Sequence, residues 1–128
     1  MDVLKLLCKC TLILKKLREC SIYLDEATEF CHHNEDISKN NVDYGLILEF
    51  YGDYNYYSDR FDEAIDYYGK ALANYDRWNS PPENQANCYK QVANVYEVQQ
   101  RYDAALDCIK RAIEYIENGN LVENREQI

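Results

Sequence analysis

Three times along this chain a bulky residue and a small one are followed, at a fixed interval, by a second small residue and then a third. The clearest copies are Tyr51-Gly52, Phe61-Asp62-Glu63-Ala64 and Ala71-Leu72, then Val92-Ala93, Tyr102-Asp103-Ala104-Ala105 and Ala112-Ile113. A fainter copy opens the chain with Leu7-Cys8, Leu17-Arg18-Glu19-Cys20 and Ala27-Thr28. In every copy the first small residue precedes the second by 12 positions, and the third follows after seven more. Small residues let two helix backbones approach closely, and the bulky residue opening the second helix fills the space beside the crossing. One such hairpin cannot bury its apolar surface alone. Hairpins of this kind must stack, which predicts an all-α solenoid of three hairpins and six helices. Solenoids work chiefly as extended surfaces for other proteins.

Apolar residues recur at spacings of three and four, and the only two prolines, Pro81 and Pro82, are adjacent. The expected division is a solenoid over residues 1–119 and a tail over 120–128. Its hairpins fall at about 2–33, 41–78 and 81–117. Ser80-Pro81-Pro82-Glu83 reads as a capping box with proline in the first turn. Asn40-Asn41 and Asp59 read as caps of the helices that follow them. Asn118-Gly119 reads as a helix stop. The first inner turn is the least marked, because Leu14-Lys15-Lys16-Leu17 contains no helix breaker. Cys8 and Gly52 are 44 residues apart and Gly52 and Ala93 are 41 apart, against a core unit of about 34. The surplus is expected in a long second helix through Leu72, Tyr75 and Trp78, and in a polar loop from Asn34 to Asn41.

The formal charge is −9, yet Met1 to Arg18 carries five basic residues (Lys5, Lys9, Lys15, Lys16, Arg18) against Asp2. The rest is therefore strongly acidic. That balance argues against nucleic acid as a partner, since phosphate recognition needs a positive footprint, and favours a basic one. No run is long and apolar enough for membrane insertion. The apolar opening is interrupted by Lys5 and Lys9 and lacks a small-residue cleavage site, unlike a leader peptide. Six cysteines in a helical chain with few loops read as reduced thiols, several of them at packing positions. A soluble, cytoplasmic protein without cofactors is the expectation.

The motif residues resemble tetratricopeptide repeats. Gly52 with Phe61-Asp62-Glu63-Ala64 and Ala71-Leu72 is a close match, and Ala93 with Tyr96, Tyr102 and Ala105 is nearly as close. The first copy (Leu4, Leu7, Cys8, Leu17, Cys20, Leu24, Ala27) puts cysteine where small residues are expected. The long spacing resembles the extended variant of kinesin light chains and related mitotic adaptors. Ala86-Asn87-Cys88 with Val92-Ala93 and Tyr102 is similar to SNAP-type solenoids. The resemblance implies a right-handed superhelix whose concave groove is lined by the first helix of each hairpin. On that alignment Glu49, Phe50, Asp53, Tyr56 and Tyr57 face the groove from the middle hairpin. Lys90, Gln91, Asn94 and Val98 do so from the third, and Lys5, Leu6, Lys9 and Ile13 from the first. Carboxylates beside aromatic faces suit lysine or arginine, and Asn94 suits the backbone of an extended peptide. The implied partner is a protein or peptide segment carrying a basic residue among apolar ones. The carboxylate clamp of chaperone-binding relatives is not expected. Lys5 matches it, but Lys9 and Phe50 stand where asparagine belongs, and Asn87 and Gln91 replace the basic pair.

Other constellations are weaker. Cys8-Lys9-Cys10 and Cys31-His32-His33 offer zinc-ligand types, but residues one or two apart on a helix diverge too far to share an ion. Cys31 with a neighbouring histidine lacks the orienting group and oxyanion site that catalysis needs, so no enzyme is expected. The chain reads as a non-catalytic binding scaffold or adaptor. A peptide-responsive regulatory module and an architectural segment of an assembly are the alternatives. One more surface stands out. Leu6, Ile13 and Leu14 belong to an opening helix with more apolar circumference than one packing face uses. Self-association or continuation into further repeats is expected there.

Overall fold

The computed structural model describes the backbone of residues 2–33 and 37–126, and the side chains of residues 2–33 and 42–118. Six helices follow one another: α1 (Asp2–Ile13), α2 (Leu17–His33), α3 (Ile37–Tyr57), α4 (Phe61–Arg77), α5 (Pro82–Val98) and α6 (Tyr102–Glu126). They pair as three hairpins, α1–α2, α3–α4 and α5–α6, and α2 packs on α3 as α4 packs on α5. This is the expected all-α solenoid.

Four turns use one device. Lys15, Asp59, Asn79 and Gln100 adopt φ of 57°, 61°, 52° and 61°. The next amide then donates back across the turn, from Lys16 to the Thr11 carbonyl and from Arg60 to that of Asn55, both at 2.8 Å. Arg101 donates to Tyr96 at 2.8 Å and Ser80 to Tyr75 at 3.1 Å in the same way. These are Schellman closures, in which satisfied helix carbonyls offset the roughly 1–2 kcal/mol of a left-handed non-glycine residue. Lys15 therefore ends α1 without glycine or proline, and the first hairpin closes like the other two.

The same geometry corrects several expected caps. Asp59 is the left-handed turn residue, so the N-cap of α4 is Arg60, with no side-chain cap. Pro81 occupies the N-cap of α5, again without a side-chain bond, while Pro82 opens the helix. The capping box does not form. Ser80 is spent closing α4, and its Oγ is buried with no partner among the described residues. Helix α3 begins at Ile37, ahead of Asn40-Asn41, so residues 37–41 extend a helix where a loop was expected. Positions 34–36 lie outside the described residues. Helix α6 runs on through Asn118-Gly119 to Glu126, since one interior glycine costs only about 1 kcal/mol.

Two cores fill the stack. Cys8, Leu12, Cys20, Leu24 and Ala27 of the first hairpin close on Ile47 of α3. Leu48, Ala64, Tyr68, Ala71 and Tyr75 of the second close on Cys88, Val92 and Val95 of α5. Each core thus spans a hairpin and the first helix of the next, so the first helices line up side by side.

Candidate functional site

That alignment brings α1, α3 and α5 together on one side. A cleft of about 420 Å³ is lined by Lys9 of α1, Leu46, Glu49 and Phe50 of α3, and Lys90, Gln91 and Asn94 of α5, among others. A smaller cavity of about 150 Å³ adjoins it, lined by Asp53, Tyr56, Tyr57, Tyr68, Gln91 and Asn94. All the groove residues singled out in the middle and third hairpins, except Val98, line one cavity or the other. Gln91 and Asn94 line both. Val98 lines a third cavity with Lys15, Tyr56 and Tyr57.

The carboxylates are not the solvated pair that their spacing suggests. Glu49 is only 7% exposed, and its Oε2 accepts a hydrogen bond from the Tyr75 hydroxyl at 2.6 Å. Asp53 Oδ1 accepts one from the Tyr68 hydroxyl. Burial pushes the Glu49 carboxyl up to about 7, although the Tyr75 bond favours its charged form. Burial likewise pushes Asp53 up to about 6 against the bond from Tyr68. Charge reversal here should lower the melting temperature, because an uncompensated buried charge is strongly destabilising.

Glycine makes this arrangement fit. A methyl group added at Gly52 would enter the ring of Tyr68, and one at Gly45 would lie 2.6 Å from Tyr75 Cε1. The two glycines, one heptad apart on α3, seat the two tyrosines that reach the two acids. Gly45 and Tyr68 are not among the residues that the sequence singles out, and Tyr75 is singled out only for the length of its helix. A signal for Gly45 was available, for Ala86 stands seven residues before Ala93 as Gly45 does before Gly52.

Elsewhere the polar groups are engaged. Lys5 Nζ lies 2.8 Å from Asp43 Oδ1, a bond that raises the ammonium pKa and takes the one clamp-like lysine. His33 Nδ1 is 2.9 Å from the Glu29 carbonyl oxygen, and the His32 ring lies against Tyr44. Burial pushes the Cys8 thiol up to about 12 and raises Cys31 as well, the opposite of an activated nucleophile. Cys8 is buried and Cys10 exposed, so the two thiols do not converge. Among the described residues no group of three or more His, Cys, Asp or Glu side chains is placed to hold a metal ion. On the opening helix and its turn, Leu6, Ile13 and Leu14 are 62%, 67% and 63% exposed.

The groove therefore combines a free amide (Asn94), an exposed ammonium (Lys90), aromatic walls, and two acids of adjustable charge. No helix among the described residues is long and apolar enough to cross a membrane. No curated protein matches the chain. A family model for the tetratricopeptide repeat matches residues 43–118, which is more than half of the sequence. With its hairpin register, crossing residues and groove, the chain belongs to the tetratricopeptide repeat family.

Proposed function

We propose that the chain is a non-catalytic binding module that takes a partner's polypeptide segment along the groove of α1, α3 and α5. Tetratricopeptide repeats serve protein–protein interaction, and the observation that carries the reading is the paired cavity. The partner's basic side chain enters the smaller one, where Asp53 supplies charge and Tyr56 and Tyr57 supply ring faces. Gln91 Oε1 is buried there with no hydrogen-bond partner among the described residues, an acceptor suited to a bound N–H. Apolar neighbours of that side chain lie against Leu46 and Phe50, and Asn94 bonds the backbone. Crossing positions 44 and 41 residues apart, with α3 running for 21 residues, support the extended variant resembling kinesin light chains and mitotic adaptors, or SNAP-type solenoids.

Binding of fluorescent peptides, with a central lysine or arginine flanked by leucines, tests the reading by anisotropy. Tyr57→Ala with Asn94→Ala changes two exposed residues, so the fold should hold while affinity falls at least tenfold. Peptides with glutamine in place of the basic residue should bind wild type more weakly than the basic peptide does. Equal binding of the basic peptide to wild type and the double variant would move the site away from this groove.

A further inference from the structure

The two ends of the solenoid leave uncovered the positions that its interior uses for stacking. In α4, Phe61, Ile65, Tyr68, Leu72 and Tyr75 belong to or pack against the core that contains α5. The residues 41 positions on, Tyr102, Leu106, Ile109, Ile113 and Ile116 of α6, are 63%, 52%, 37%, 48% and 48% exposed. Among the described residues α6 packs on α5 and reaches α4 only through a hydrogen bond from the Tyr115 hydroxyl to Asp76 at 3.2 Å, whereas α4 packs on both α3 and α5. By the same register this is the face on which the first helix of another hairpin would stack.

At the other end the complement is bare. Ile47, Phe50 and Tyr54 of α3 pack into the core of the preceding hairpin. Their counterparts 44 positions earlier on α1 are Val3 and Leu6, at 72% and 62% exposed, and the exposed Cys10. The charges match too. Exposed Lys9, Lys15, Lys16 and Arg18 outnumber exposed Asp2 and Glu19 around the α1 end. Exposed Asp103, Asp107, Glu114 and Glu117 outnumber Lys110 and Arg111 along α6.

We propose that α1 of one copy stacks on α6 of a second copy, head to tail, in the register that joins α2 to α3 and α4 to α5. Such an interface is heterologous: each copy offers both halves, so assembly extends beyond a dimer. It joins an apolar stripe to an apolar stripe with opposite charges beside it, and salt should weaken it.

Sedimentation velocity of the whole chain, from about 1 μM to about 1 mM, tests this. The mean mass of wild type should rise with concentration past the dimer value, and less so in high salt. Leu6→Glu removes the α1 half and Ile113→Glu the α6 half. Both positions are exposed, so circular dichroism should be unchanged. Each variant alone should stay monomeric, and their equimolar mixture should form a heterodimer and nothing larger. Wild type that stays monomeric throughout overturns the proposal. So does either variant that still self-associates, which would mean a symmetric interface, or a mixture that forms no heterodimer.

Discussion

At one register of the first and second hairpins stand Cys8 and Gly52, and across the crossing from them Leu24 and Tyr68. Cys8 and Leu24 are both fully buried in the first core, with no polar group to place. Gly52 leaves room for a whole ring, and the hydroxyl on that ring reaches Asp53. The groove residues beside these crossings differ accordingly. Lys9, next to Cys8, is exposed, whereas Asp53, next to Gly52, is tied to a tyrosine. The third hairpin sits between them, with Ala93 at the crossing, Ile109 opposite, and an exposed Asn94. The size of one crossing residue thus sets which side chain fits opposite it. That side chain in turn decides whether the groove shows a free charge or a masked one.

The contrast breaks most severely at Gly52. Gly52→Ala should cost 3 kcal/mol or more in urea unfolding, roughly the upper range for overpacking a rigid core. Adding Tyr68→Leu should recover about 1–2 kcal/mol at pH 5, since it restores the kind of pair found in the first hairpin. If the single variant is as stable as wild type, crossing size does not govern the pair.

Acidity sharpens the comparison next. Unfolded Glu49 ionises near 4.5, but in the fold its pKa is about 7. Between those values the folded chain holds more protons, so its stability is fullest below pH 4.5 and declines as pH rises through 7. Asp53 acts in the same sense between 3.8 and about 6. The folded state should lose about 2–3 kcal/mol from Glu49 between pH 5 and pH 8. Glu49→Gln should flatten that slope. A denaturation midpoint that rises toward pH 8 would contradict the buried-acid layer.

Smaller effects follow at the crossing of the first hairpin and on the outer face. Cys8→Ala removes one fully buried sulfur and should cost about 1 kcal/mol by thermal melting. Gly69 has nothing within 4 Å of where a Cβ would be, so Gly69→Ala should stabilise α4 by about 0.5–1 kcal/mol. Opposite signs for Gly52→Ala and Gly69→Ala would separate a glycine that seats a ring from one that merely occupies a helix.

The repeat was legible because packing imposes it: crossing residues at a fixed interval survive even where glycine becomes cysteine. Turns were less legible. Lys15, Asp59, Asn79 and Gln100 take a conformation that glycine usually marks, and the hydrogen bond that closes each helix end offsets its cost. Ser80 carried a capping signature, yet stacking places its hydroxyl in the interior. That the groove residues of α3 and α5 share one side was legible through the alignment that the repeat resemblance supplies. Their electrostatics were not, because Glu49 and Asp53, four apart, look like a solvated face. Only the tyrosines of another helix reveal that the pair is covered.

Carbon-13 titration of the Glu49 and Asp53 carboxyl groups, with the chain free and then saturated with a basic peptide, tests the central claim most directly. Free midpoints near 7 and near 6 are predicted, and both should fall when a cation occupies the groove, because opposite charge favours the ionised form. By reciprocity, the same peptide should bind more tightly at pH 8 than at pH 5, although the fold itself is more stable at pH 5. Midpoints near 4 in the free chain would contradict the buried carboxylate–tyrosine layer, and midpoints unmoved by bound peptide would contradict its place in the binding groove.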